Sequence, residues 1–334
     1  PIGEGGVFEG PFGDHTGFYS MPDRYPLLEV TAMTHREHAM YPTTVVGLPP
    51  QEDYALGKAT ERIMLPLLKT MLPDIVDYDL PMFGAFHNAA FVQINKQYPL
   101  HARTVMSGIW GAGQMAWTKN LFVVDDEVDV HDLSAVLTAM AKNCKPSRDI
   151  QSVYGALDIL DHSAPRLGTG MKLGFDLTKK IAGEDLDGQG LAYEYQIPSA
   201  EQCVDDVAKA MLLEGVLEAS TSPSAPGWMF VRVDRGHDEP SREGLGREIC
   251  QAILAAGATH AKWIVILGRD VDITNHHEAL FHWVANSDAS RDAIWDQGHG
   301  CDRLFIDATP KTAGDASNGQ PVRAWPVVLD GVRG

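Results

Sequence analysis

The sequence predicts an α/β protein with mostly parallel sheets, arranged as two tandem copies of one unit. Two observations carry this reading. Short apolar runs alternate with segments whose apolar residues recur at helical spacing, and the same order of runs occurs twice.

Taken in order, residues Glu9–Thr31 are rich in glycine, proline and aromatics and lead into the strand-like Leu27–Met33. Glu52–Leu72 places Leu56, Ile63, Leu67, Leu68 and Met71 at helical spacing, with Pro66 expected to kink or break the helix. A strand is expected at Phe91–Ile94, a helix around Arg103–Trp117, a buried strand at Leu121–Val124 and a helix at Leu133–Asn143. Gly183–Gln196 reads as a polar linker.

The repeat is visible residue by residue. Phe91–Lys96 (FVQINK) is echoed by Phe230–Arg235 (FVRVDR), and Lys119–Val124 by Lys262–Leu267. Ser147-Arg-Asp149 is echoed by Ser290-Arg-Asp292, and Phe175–Thr178 (FDLT) by Ile306–Thr309 (IDAT). Asp149 to Asp176 spans 27 positions and Asp292 to Asp307 spans 15, so the second copy is 12 residues shorter there. The missing stretch corresponds to Ala156–Leu173, and Gly268 and Arg269 stand where the first copy has Asp125 and Asp126. The second copy is therefore expected to keep the framework and to lack a site.

Composition narrows the function classes. With 334 residues, 44% hydrophobic and 22% charged, the chain can bury sizeable cores. A formal net charge of −18 repels phosphate backbones and anionic membrane surfaces, which argues against nucleic-acid and lipid partners. There is no apolar run long enough to span a bilayer and no signal-peptide pattern. Cys144, Cys203, Cys250 and Cys301 are widely spaced without a CxxC pair, as expected for free thiols in a reducing cytoplasm. The first residue is Pro1 rather than Met, so the chain reads as a fragment or a trimmed chain.

The densest unusual segment is Glu9-Gly-Pro-Phe-Gly-Asp14-His-Thr-Gly-Phe-Tyr19. Gly10, Pro11 and Gly13 force a tight backbone between two carboxylates. Two acids on one rigid turn suit general acid–base work, one held protonated and the other ionised. A plain structural turn with solvated acids is the alternative reading.

EGPFGDHTGFY resembles the glutamate-bearing loop of the UbiD family of decarboxylases. The similarity continues through Val30–Pro50, Val76–Pro81, Thr118–Val130 and Gly170–Lys180, covering about residues 7–182, and more faintly through the second copy. Pro81–Ala102 and Gly111–Lys119 are most similar to the menaquinone biosynthesis branch, which implies dihydroxynaphthoate-type acids as substrates. A polyprenyl-hydroxybenzoate substrate is the rival within the enzyme class, and a non-catalytic oligomerisation or docking module the rival outside it.

The resemblance implies a domain plan. Residues 1–48 would be the end of a split β-barrel flavin-binding domain, 49–185 the first α/β domain and 197–330 a degenerate second copy. It also implies prenylated FMN with a divalent metal (Mn or Mg) and K+, an aromatic carboxylic acid substrate and a homo-oligomer. Glu9 matches the acid that pairs with the family's arginine, and Asp14 matches the proton donor. The arginine, the metal ligands and most flavin contacts would lie upstream of Pro1, so this chain alone is expected to hold no cofactor. Gly155–Leu160 falls where a mobile covering loop is expected, making Leu157, Ile159, Leu160 and also Leu56 pocket candidates, with core packing as the competing reading.

Other signals are set aside. His35-Arg-Glu-His38 and the group His276, His277, Glu278, His282 lack a third ligand at metal spacing and read as solvated helix faces. Gly168-Thr-Gly170 and Gly244-Leu-Gly246 are too short to mark a dinucleotide site. Asp125, Asp126 and Glu127 read as a strand-end turn rather than as catalytic acids.

Overall fold

The computed structural model describes residues 6–186, 188, 197–237, 239–240, 242, 244–298, 302–317 and 319–329. Cys301 and most of the expected linker lie outside the described residues.

At the start, β1 (Val7–Glu9) pairs antiparallel with β2 (Asp23–Tyr25), and the acidic loop lies between them. The strand-like Leu27–Met33 forms no strand: residues 26–45 run extended and exposed, with no described strand beside them. A β-prone run without a ladder partner has no cross-strand contacts to hold it.

The first sheet has the order β3 (Ile75–Asp79), β4 (Ala89–Ile94), β5 (Asn120–Asp125), β7 (Thr169–Asp176), β6 (Ile150–Ala156). The second has β8 (Val216–Ser222), β9 (Ala225–Val233), β10 (Trp263–Leu267), β12 (Arg303–Ala308), β11 (Ala293–Asp296). In each, the three central strands are parallel and both edge strands are antiparallel. The sheets are thus mixed rather than mostly parallel. Each edge strand pairs with its sequence neighbour, and the tight β8–β9 connection is one that only antiparallel pairing permits.

The helices are α1 (Asp53–Met71), α2 (His101–Ile109), α3 (Leu133–Asn143), α4 (Pro146–Asp149), α5 (Ala200–Ala210), α6 (Leu245–Ala255), α7 (His276–Asn286) and α8 (Ala289–Asp292). α2 ends earlier than its apolar spacing suggests and resumes as a 3-10 turn at Gly113–Trp117. Gly111 and Gly113, the latter at φ +51°, break it there. α1 is turned against expectation. Its inward side holds Glu61 and Leu68, while Leu56, Ile63, Leu67 and Met71 face outward and are exposed. Glu61 bonds the Leu80 amide and the Lys58 ammonium, and that polar anchoring sets the helix's rotation.

Both sheets are covered on both faces. Ala90, Val92, Leu121 and Val123 pack outward against α1 and α2, and Val231, Ile264 and Ile266 pack against α5 and α6. Between the sheets lies one shared core. Phe122 and Phe175 stack at 4.6 Å, and each meets Trp283 of α7 edge-on near 6 Å. Burying each such ring is worth roughly 1.5–3 kcal/mol.

The likeness of the two halves extends to buried ionic groups. Lys180 reaches Asp176 at 3.1 Å and Asp149 at 3.8 Å, while Lys311 reaches Asp307 at 3.5 Å and Asp292 at 3.6 Å. Arg148 Nε donates to Asp149, as Arg291 Nε does to Asp292, both at 2.8 Å. Lys96 with Glu184 (2.7 Å) is mirrored by Arg235 with Asp315 (3.0 Å). Glu184 falls within the expected linker, yet it is buried and also accepts from the Leu100 and Ile181 amides. This end of the segment is an anchor, not a solvated spacer. The 12-residue difference falls in the β6–β7 hairpin, whose second-sheet counterpart β11–β12 is shorter in both strands.

Candidate active site

The acidic loop folds back on itself at Asp14. The Asp14 amide donates to the Phe18 carbonyl and the Gly17 amide to the Asp14 carbonyl, each at 3.1 Å. Gly17 adopts φ +83°, which favours glycine. The C-terminal segment runs alongside, with Tyr19 N donating to Val327 O at 2.8 Å and Leu329 N to Gly17 O at 3.0 Å. The loop is therefore clamped between the first α/β unit and residues from the far end of the chain.

This places the two acids differently. Glu9 ends β1 in an exposed position. Asp14 is 6% exposed, accepts from the Thr16 amide at 3.2 Å and pairs with His15 Nδ1 at 3.0 Å. Burial raises its carboxyl above the usual range; His15 and two backbone amides oppose the rise in part, and the Asp158 charge adds to it. His15 Nε2 in turn lies 3.1 Å from Nε2 of His87, which burial pushes down to about 4 and so keeps neutral.

Asp14 lines a pocket with Ile159, Leu160, His162, Leu167 and Arg323. Two of the four apolar candidates are thus brought to the acid, Ile159 exposed at the mouth and Leu160 half-buried. Leu157 is 3% exposed and packs instead beside Gly170, where an added Cβ would come within 2.7 Å of it. Leu56 sits on the outer face of α1 and does not line this pocket.

Beneath the pocket a buried Lys119–Asp161 pair (2.8 Å) holds the turn after Leu160, with Asp161 also accepting from the Ser163 and Ala164 amides. Burial would raise the Asp161 carboxyl, but Lys119 and the hydrogen bonds outweigh it and hold it low. His162 stacks on Phe18 at 4.0 Å, meets Trp325 at 4.7 Å and bonds Asn286 at 2.9 Å. Burial pushes its imidazole down to about 3. Sequence reasoning stopped at Leu160 and missed the next three residues. Asp161-His-Ser163, an aspartate two residues before a serine, is a turn signal that could have been read. Nothing in its neighbourhood marks Arg323.

The residues present suit the acid and ring end of the expected chemistry. A metal is different. Among the described residues, Glu61, Asp79 and His131 converge, but the Lys58 ammonium already lies between Glu61 and Asp79. Asp206, the centre of the second group with Asp205 and His260, is already saturated by three backbone amides. Neither group lines the Asp14 pocket, and that pocket offers a single cationic side chain for a phosphate. No helix among the described residues is long and apolar enough to cross a membrane.

Comparison with known proteins places the chain in a family. The family model described as the C-terminal domain of 3-octaprenyl-4-hydroxybenzoate carboxy-lyase matches residues 54–177 and 202–317, and its Rift-related domain matches 3–49. A Helicobacter pylori (strain J99) uncharacterized protein is 33% identical over 95% of this chain and 48% of its own length. Among solved structures, the vanillic acid decarboxylase of Sedimentibacter hydroxybenzoicus in closed form aligns with TM-score 0.50 and 24% identity, over 54% of this chain and 38% of that one. The UbiD-class enzyme HmfF from Pelotomaculum thermopropionicum, in complex with FMN, aligns with TM-score 0.44 and 28% identity, over 56% and 44% of the two chains. The chain spans 37–48% of the length of the curated relatives it matches. On the family matches, which take in most of its length, the chain belongs to the UbiD family of decarboxylases.

Proposed function

We propose that this chain supplies the proton donor and the substrate cover of a prenylated-flavin-dependent, non-oxidative decarboxylase of aromatic acids. Dihydroxynaphthoate-type acids of menaquinone biosynthesis are the substrate class in this reading, and a cytoplasmic homo-oligomer its setting. The observation that carries it is Asp14: a buried carboxyl, raised above its ordinary range, at one wall of a pocket that Phe18, Ile159, Leu160 and Leu167 also line.

When bound, prenylated FMN supplies the electron sink for the pair left on the ring carbon as carbon dioxide departs. The Asp14 carboxyl, raised by burial, holds its proton more firmly than an ordinary carboxyl and delivers it to that carbon, and solvent then restores it. Glu9 is assigned the pairing role toward the family's arginine. Ile159 and Leu160 exclude water above the ring, and the Lys119–Asp161 pair keeps their loop in place. In the same reading 1–48 ends a split-barrel domain. The second α/β unit is a duplicated copy that serves structure, as its matching strand order and ionic groups suggest.

The test is product formation from 1,4-dihydroxy-2-naphthoate and from a 4-hydroxybenzoate with prenylated FMN and the family's N-terminal half supplied, comparing wild type with Asp14→Asn. Asp14→Asn should lower turnover about 100-fold or more. Unchanged turnover in that variant would end the proton-donor assignment.

A further inference from the structure

Arg323 stands apart in this pocket. It lies beyond the last family-matched residue, on the C-terminal segment that clamps the acidic loop. Its guanidinium is partly buried and, among the described residues, is in no ion pair with a carboxylate. Nε donates to Ala164 O at 3.0 Å, one terminal nitrogen to Asp161 O, and the other only approaches Met21 Sδ at 3.7 Å. Burial lowers its pKa from the ordinary arginine value, as for a cation short of anionic partners. Arg323 is the arginine of a pocket that Asp14 and Asp23 also line, and its described hydrogen bonds go to neither of them.

His162 also lines the pocket; it is 2% exposed, and its buried Nδ1 has no hydrogen-bond partner among the described residues. With Asn286 assigned to donate to His282 Nδ1, His162 Nε2 carries the hydrogen toward Asn286 Oδ1. Nδ1 is then a buried lone pair, and it can be satisfied only by a donor.

We propose that Arg323 and His162 form the polar subsite of the Asp14 pocket, Arg323 taking the anionic group of a flat ring ligand and His162 Nδ1 accepting from a hydroxyl on it. The proposal rests on the reading of this pocket as a substrate site. It adds two binding residues to that site. Apolar walls from Phe18, Leu160 and Leu167 suit the ring, and the burial that raises the Asp14 carboxyl favours its uncharged form, which does not repel an anion.

The test measures binding of 6-hydroxy-2-naphthoate, 2-naphthoate, 2-naphthol and inorganic phosphate to the full chain by calorimetry. Wild type should prefer the hydroxylated acid over both single-group analogues. Arg323→Gln should weaken the two acids about 10- to 100-fold and leave 2-naphthol unchanged. Arg323→Lys should restore part of the loss, and His162→Phe should erase only the preference for the hydroxyl. Thermal melts confirm that each variant is folded. Undiminished acid binding in folded Arg323→Gln would overturn the proposal. So would phosphate competing through Arg323 while the naphthoates do not bind, since the anion would then be a phosphate. Naphthoate binding that depends on Arg323, in a protein that forms no product with prenylated FMN and the N-terminal half supplied, would sink the decarboxylase reading and leave the subsite standing.

Discussion

His15 and Asp14 are neighbours in sequence and are also paired through their side chains, Nδ1 to carboxylate at 3.0 Å. Adjacent side chains on a strand would point to opposite faces, so the pair exists because the Asp14–Gly17 turn curls both inward. The His15 charge partly offsets what burial does to Asp14. His15→Phe keeps a ring against Phe86 and His87 but removes that charge. The Asp14 carboxyl should then rise further, and because the proton-bearing form is the active one, the fall of turnover at high pH should move to higher pH. A pH–rate profile checks this.

Asp14 should also leave a mark on stability. Its folded-state pKa lies above its unfolded one, so its contribution is fully present at low pH and is lost as pH rises through the raised value. Asp14→Asn should match wild type below the ordinary carboxylate range and become progressively more stable than it above. Urea midpoints across pH 3–8 read the difference. A constant gap at all pH values would contradict the raised carboxyl.

The Lys119–Asp161 pair is buried on both sides. Lys119→Met would leave a carboxylate without its counter-charge and should cost about 3–5 kcal/mol. Adding Asp161→Asn to that variant should recover part of the loss. Denaturant melts of the three variants form the cycle that checks it.

The repeated ionic groups make a matched prediction. Lys180→Met and Lys311→Met each take the lysine from two aspartates, of which Asp149 and Asp292 keep their arginines while Asp176 and Asp307 lose this cation, so both should destabilise and by similar amounts. Denaturant unfolding that shows a large loss for one and none for the other would mean that the two networks carry unequal weight despite their like geometry.

Much of this protein was legible in its residues. Leu133–Asn143 is a helix over the span its spacing predicts, and the strands at Phe91 and Leu121 lie where their apolar runs stand. These are local signals, set by side-chain period and propensity. The twofold likeness of the chain was legible too, because Ser-Arg-Asp and Asp-x-Thr recur in order, and the structure shows both as capping and ion-pair groups. Asp14 was singled out by the glycines and proline around it.

What depended on long-range contacts was not legible. The outward turn of Leu56, Ile63 and Leu67 follows from Glu61 being anchored to Leu80 and Lys58, and apolar spacing alone cannot tell which side of a helix will be covered. Leu157 and Ile159 differ by two positions, yet one packs into the core and the other opens on the pocket, because the chain leaves β6 and turns there. Arg323 reaches Asp161 across 162 positions of sequence. By itself the sequence determined the locally coded elements and singled out Asp14; the tertiary structure decided which distant groups surround that acid, because such contacts form only when separate elements pack together.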